Sequence, residues 1–271
     1  MRWTLLGSGT STGVPAIGCR CAVCRSSHPR NKRTRSSLSI RYQGRSIIID
    51  TGVDLRQQVL REEIDRVDAV LFTHAHADHI YGLDEIRMYN LIQKAVIPCY
   101  GSAETLQRVQ RAFSYIFSNK PSEGTKPQMT AFAIEGPFSL FGLPVQPISL
   151  LHGSMEVLGY RFGPAAYLTD CNQIPAHSLE KLKDLDLLII SAVGYQPHAT
   201  HFNIGEALEI VRLLQPRRAF LTHLSHHFDY ESVSTSLPAG VGLAYDGLQL
   251  EIPLAVEEKT LSAPPPAGAY R

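Results

Sequence analysis

Short apolar runs that stop abruptly at a polar residue recur along this chain of 271 residues. Residues 4–6, 38–40, 47–49, 69–72, 147–151, 167–169, 187–190 and 219–221 read as strands. Apolar positions spaced three and four apart predict helices within 55–64, 105–117, 179–182 and 204–214. Two sheets with helices outside them follow, an α/β class. The halves echo each other: Ile47-Ile-Ile-Asp50 followed later by Leu71-Phe-Thr-His74 parallels Tyr167-Leu-Thr-Asp170 followed later by Phe220-Leu-Thr-His223. No apolar run approaches the length of a membrane span.

What ends those runs is chemically selective. The strand at 69–72 runs into His74, His76, Asp78 and His79 within one turn. His74 and His76 project the same way along an extended turn and share one cation, while Asp78 and His79 fall on the start of a following helix and face another. His152, Asp170 and His223 each close a later strand. Assembled, His74, His76 and His152 hold one ion, Asp78, His79 and His223 the second, and Asp170 bridges them. Imidazole and carboxylate ligands accept Zn, Mn or Fe. Such a pair activates water at neutral pH and neutralises charge on a phosphoryl oxygen, which favours phosphodiester hydrolysis. Asp78, touching a metal and able to accept a proton from that water, is the expected orienter of the nucleophile.

Because these ligands are spread from His74 to His223 and must converge, no domain boundary fits between them. One domain over 1–252 is expected, and 253–271, with Ala263-Pro-Pro-Pro-Ala267 and no apolar periodicity, reads as a flexible tail. Three of the five cysteines, Cys19, Cys21 and Cys24, lie within six residues. Disulfides do not readily join such close neighbours, and no signal-peptide pattern precedes the first strand, so the chain is expected to be cytoplasmic. Clustered thiolates in a reducing compartment point to a structural Zn, which wants a fourth ligand. The net charge of +1 argues against binding long nucleic acid by bulk electrostatics. Yet Arg20, Arg25, Arg30, Lys32, Arg33, Arg35, Arg41 and Arg45 all precede the first acidic residue, Asp50. They form either a solvated basic surface or a rim that draws phosphorylated substrates.

The HxHxDH turn with its later His, Asp and His resembles the metallo-beta-lactamase superfamily over roughly residues 1–252. Within it, the opening Leu6-Gly-Ser-Gly-Thr-Ser-Thr-Gly-Val-Pro15, the Cys19-x-Cys21-x-x-Cys24 knot and the ending Leu221-Thr-His-Leu-Ser-His-His227 are most similar to the phosphoribosyl 1,2-cyclic phosphate phosphodiesterase (PhnP-like) family. The resemblance implies an αββα sandwich of two mixed sheets with outer helices, two divalent metals at one sheet edge, and a small cyclic phosphate or nucleotide-type diester as substrate. It also implies His226 as the fourth ligand of the structural Zn, Asp50 as a carboxylate that fixes imidazole tautomers, and His201 as general acid, with His198 its nearest rival. A homodimer is common in that family. Ser8, Gly9 and Thr10 form a turn whose backbone donors are candidates for a phosphate oxygen. Asp246 resembles a late family position, and a hairpin turn explains it equally. The competing readings are a role like that of PQQ-biosynthesis protein B, and a non-catalytic binding module around a structural metal site.

Overall fold

Ile47, Ile48 and Ile49 carry no polar residue between them because their strand is covered on both faces. Ile47 and Ile49 point into one buried cluster and Ile48 into another, the pattern of parallel strands lying between layers. The computed structural model describes residues 1–118 and 124–254. Its first sheet contains β1 (Arg2–Gly7), β2 (Ser37–Tyr42), β3 (Arg45–Ile49), β4 (Ala69–Leu71), β5 (Ile97–Gly101) and β6 (Met129–Ala133). The second contains β7 (Phe138–Leu140), β8 (Leu143–His152), β9 (Met155–Phe162), β10 (Ala165–Leu168), β11 (Leu187–Ser191), β12 (Arg218–Thr222) and β13 (Val241–Leu243), and β14 (Gln249–Glu251) returns to the first. The orders are β14-β1-β2-β3-β4-β5-β6 and β13-β12-β11-β10-β9-β8-β7. Each sheet is antiparallel on one side and parallel from β3 to β6 or from β10 to β13.

Trp3, Leu38, Ile40, Leu71, Tyr160, Tyr167, Leu187 and Ile189 fill the space between the sheets. α1 (Ala22–Arg25) packs in a small separate cluster with Val14, while the outer faces are covered by α2 (Leu55–Arg61), α3 (Ala77–Ile80), α4 (Ile86–Gln93), α5 (Ala103–Ala112), α6 (Ser114–Phe117), α7 (Ala176–Leu179), α8 (Ile204–Leu214) and α9 (Tyr230–Ser234) together with their loops. Leu55, Ile86 and Leu106 pack with Val70 and Phe72 on one side, and Ala207 with Leu188 and Leu221 on the other. This is the expected αββα sandwich. No helix among the described residues is long and apolar enough to cross a membrane.

Every strand expected from the sequence is present, and six were not expected. β5 was masked by Pro98, which lies just before its pairing with β4 begins at Cys99, so the missing N–H costs that ladder nothing. The helix expected over 55–64 stops at Arg61, where Glu63 takes a left-handed φ of 50°. That expected over 105–117 breaks at Phe113 into α5 and α6, and 179–182 is the last residue of α7 followed by a 3-10 turn. The echo between halves is looser than it reads. β3 and β4 are neighbours, whereas β11 separates β10 from β12. At the expected tail boundary Leu254 still packs against the inner core, and residues 255–271 lie outside those described.

Candidate metal centre

The candidate ligands stand at strand ends because parallel strands deliver their C-termini to one edge. Asp50 follows β3, His74 follows β4, His152 ends β8, Asp170 follows β10 and His223 follows β12. Asp50, Asp170 and His223 take left-handed φ values of 62°, 53° and 57°. Non-glycine residues there cost roughly 1–3 kcal/mol each, and the turn is what aims each side chain inward off its strand. Three groups of donors result: His74, His76 and His152; Asp78, His79, Asp170 and His223; and His152, Asp170 and His201. Asp170 joins them, its carboxylate lying 3.9 Å from His74 Nε2 and 3.2 Å from both His79 Nε2 and His223 Nε2.

Hydrogen bonds on the far side of three rings set which nitrogen faces the cluster. Thr73 gives its hydroxyl proton to Asp50 Oδ2 at 2.7 Å, so at 3.0 Å it accepts from His74 Nδ1. His79 Nδ1 donates to Asp50 at 2.7 Å, and His152 Nδ1 donates to the Thr200 carbonyl at 2.7 Å. In the neutral tautomer each therefore turns an Nε2 lone pair inward. The His79 lone pair then confronts Asp78 and Asp170 oxygens, both at 3.2 Å without hydrogen-bond geometry. Acceptors converging on acceptors in a buried site repel unless a cation sits among them. The residues present fit divalent metals on this ground.

The electrostatics agree. Burial, with the charge of His79 beside it, pulls His74 well below the ordinary histidine value, and burial with His152 lowers His76. Burial works against Asp170 and Asp78, but neighbouring His223 and His79 hold Asp170, and His79 holds Asp78, below the usual carboxylate range. Burial also opposes charge on His79, yet Asp170, Asp50 and Asp78 together raise it well above ordinary histidine. That attraction for a proton is the attraction a divalent ion would satisfy instead. Burial lifts Asp50 itself, with His79 and Thr73 pulling the other way. His201 stands 4.6 Å, ring to ring, from both His152 and His223, and burial followed by His223 lowers it to about 3. Its rival His198 is exposed and 5.1 Å from His201.

The cysteine knot closes on the other end of the chain. Cys19, Cys21 and Cys24 Sγ lie 3.2, 3.5 and 3.6 Å from His226 Nδ1, and the four donor atoms all fall within 4.8 Å of one another. The backbone N–H of Cys24 is the main reason the Cys21 thiol drops to about 6, while burial pushes Cys24 to about 11. Three sulfurs and one imidazole in that arrangement suit tetrahedral Zn.

Two expectations need correction. Ser8, Gly9 and Thr10 do not offer their backbone donors to a phosphate: Ser8 N bonds Asp246 at 2.9 Å, Gly9 N the Thr34 carbonyl at 2.8 Å, and Thr10 N the Leu224 carbonyl at 3.3 Å. Asp246 is no ordinary turn residue either, since it also accepts from the hydroxyls of Ser8 and Thr34 and from Thr34 N. Of the early basic residues, Arg20, Arg25, Arg30, Lys32, Arg41 and Arg45 are exposed, and several of the group have partners. Arg33 is buried, Arg35, Arg41 and Arg45 pair with Asp54, Asp65 and Asp68, and Arg30 lies over the Tyr230 and Tyr245 rings. Thr73 and Thr169 were missed, and a signal for them existed. A Thr precedes each of His74, Asp170 and His223, and the Thr169 hydroxyl donates to Asp170 at 2.6 Å.

Known proteins share this arrangement at several levels. Residues 45–224 match the family model described as "Beta-lactamase superfamily domain". The solved structure of a new diphosphatase from the PhnP family is 42% identical, with a TM-score of 0.88 over 94% of this chain and 99% of that one. Zn(2+)-bound PqqB from Methylobacterium extorquens shares the fold at 21% identity, with a TM-score of 0.77 over 93% of this chain and 100% of that one. An octanoyltransferase of Porphyromonas gingivalis is 39% identical over 260 residues, 92% of this chain and 51% of that protein. The chain thus spans about half the length of that curated relative.

Proposed function

The chain belongs to the beta-lactamase superfamily and has a PhnP-like metallo-beta-lactamase fold, and from that membership we propose that it is a dinuclear-metal phosphodiesterase acting on small cyclic phosphates or nucleotide-type diesters. The observation that carries the reading is the inward convergence of imidazole lone pairs and carboxylate oxygens around Asp170. His74, His76 and His152 would hold one ion and Asp78, His79 and His223 the other, with Asp170 shared between them; Mn, Zn and Fe all suit these donors. Cys19, Cys21, Cys24 and His226 would hold a separate structural Zn. Divalent ions held there activate water at neutral pH and neutralise charge on a phosphoryl oxygen.

The chain's own groups supply the rest. Asp50 and Thr73 lock the tautomers of His79 and His74, and the Thr200 carbonyl locks that of His152. Asp78, kept ionised beside His79, orients the attacking water and takes its proton. His201 hands a proton to the departing oxygen. Its surroundings keep it neutral in the free site, so the negative phosphoryl group of the substrate is what favours its protonated form. The diphosphatase description of the 42% identical structure supports substrates joined through phosphoryl oxygens. The octanoyltransferase match favours a second reading, acyl transfer; against it, the match takes in only 51% of that protein, which leaves half of it outside the comparison.

Chelator-treated protein is expected to lose hydrolysis of bis(4-nitrophenyl) phosphate and to regain it on adding Mn or Zn. Undiminished turnover in protein shown to be metal-free would overturn the reading.

A further inference from the structure

At His198, whose ring lies 5.1 Å from that of His201, opens a cavity of about 590 Å³ that the chemistry described so far does not use. One wall is the segment from Val193 to His198 and the other is the turn carrying Ser225 and His227. Its volume falls within the range of pockets that enclose small organic ligands. Among the described residues lining it there is no Lys, Arg, Asp or Glu. A second phosphate or an ammonium group would find no carboxylate, ammonium or guanidinium there, and the polar side chains of the lining are Tyr195, Gln196, Ser225 and the two imidazoles. What the lining does offer is rings: Tyr195, 51% exposed, and the exposed imidazoles of His198 and His227.

The ring-bearing walls are held in place. Tyr195 meets the buried Phe228 edge to face, 4.8 Å between centroids at 73°. His227 stacks on His226 at 4.8 Å and 25°, and His226 faces the three cysteines. Arg33, almost wholly buried, clamps both sides of that turn by donating to the Ser225 carbonyl at 3.0 Å and the Phe228 carbonyl at 2.8 Å. Gly194 lets the two walls close up, since a Cβ there would lie 3.3 Å from His227 Nδ1. Exposed aromatic rings whose backbones are fixed from behind form a stacking surface prepared before any ligand arrives.

The cavity's position fixes which part of a substrate enters it. His198 lines it and lies 5.1 Å from His201, which in turn borders His152 and His223. We propose that this cavity seats a planar heteroaromatic ring, of nucleobase size, carried by the leaving group, with Tyr195 and His227 as the residues that select it. The assignment rests on the phosphodiesterase reading for the orientation of the ring relative to the reacting bond. It makes the cysteine knot a positioning element: by holding His226 it holds His227.

The test is calorimetric titration of the metal-loaded protein with AMP, ribose 5-phosphate, inorganic phosphate and adenosine, repeated with Tyr195→Ala and His227→Ala. Both positions are exposed, so folding is not at stake. AMP is expected to bind tighter than ribose 5-phosphate by about 5- to 150-fold, the range for stacking one base on an aromatic side chain. Tyr195→Ala should bring AMP to within about 2-fold of ribose 5-phosphate while inorganic phosphate binds as before. Equal affinity of AMP and ribose 5-phosphate in the unmodified protein overturns the assignment, as does a Tyr195→Ala protein that weakens inorganic phosphate as much as AMP. If phosphates do not bind and no diester is hydrolysed, but adenosine binds and needs Tyr195, the cavity assignment stands and the phosphodiesterase reading falls. Hydrolysis without any preference for the ring has the opposite meaning.

Discussion

His201 is the residue whose role depends most on company. Held to about 3 by burial and by His223, it carries no second proton to give until an anion lies against it, which ties that proton to the presence of substrate. His201→Ala should therefore slow an alkyl or ribose diester by roughly 10²- to 10⁴-fold, the usual contribution of a positioned acid. A nitrophenyl diester, whose leaving group needs little protonation, should stay much closer to the unmodified rate. Metal content measured on the same sample should be unchanged. If both substrates slow alike with metals in place, the proton comes from elsewhere, and His198, 5.1 Å away, is the first position to examine.

At the scale of elements, short connections do more than the helices they join. The Asn203–Glu206 capping box starts α8 two residues after His201, so the helix start and the ring position are fixed together. The turn from Ser225 to Phe228 is held by Arg33 on its carbonyls and by the cysteine knot on His226. A closed four-ligand site has no open position for attack and resists mild chelation. Accordingly, Cys21→Ser is expected to remove one Zn per chain and to lower the melting temperature, more than it lowers the rate per folded molecule. X-ray absorption showing no sulfur-bound Zn in the reduced protein would refute the structural site.

Across the whole molecule, the proposed metal centre is a cross-link between sheets. His74, His76, Asp78 and His79 follow β4 of the first sheet, while His152, Asp170 and His223 come from the second. Metal that binds only the folded chain stabilises it by about 4 kcal/mol at a free concentration a thousand times Kd. For a chain of this size that is about 7 °C in melting temperature. The catalytically impaired His201→Ala protein should show the same metal-dependent rise, which separates stability from turnover; a melting curve indifferent to metal would place the ions outside the folded core. The sequence by itself determined the strands that end in candidate ligands, the seven candidate donors and the clustered cysteines, because donor type, short spacing and apolar runs are local properties of the chain. Only the tertiary structure set the ring of His201, and not that of the exposed His198, against His152 and His223, and only it showed that β11 intervenes between β10 and β12. It likewise withdrew Ser8, Gly9 and Thr10 from phosphate binding and revealed the cavity walled by Tyr195 and His227. Those outcomes turn on which groups already have partners. Partners such as Asp246 for Ser8, 238 residues away, are brought together only when β14 closes alongside β1 at the edge of the first sheet.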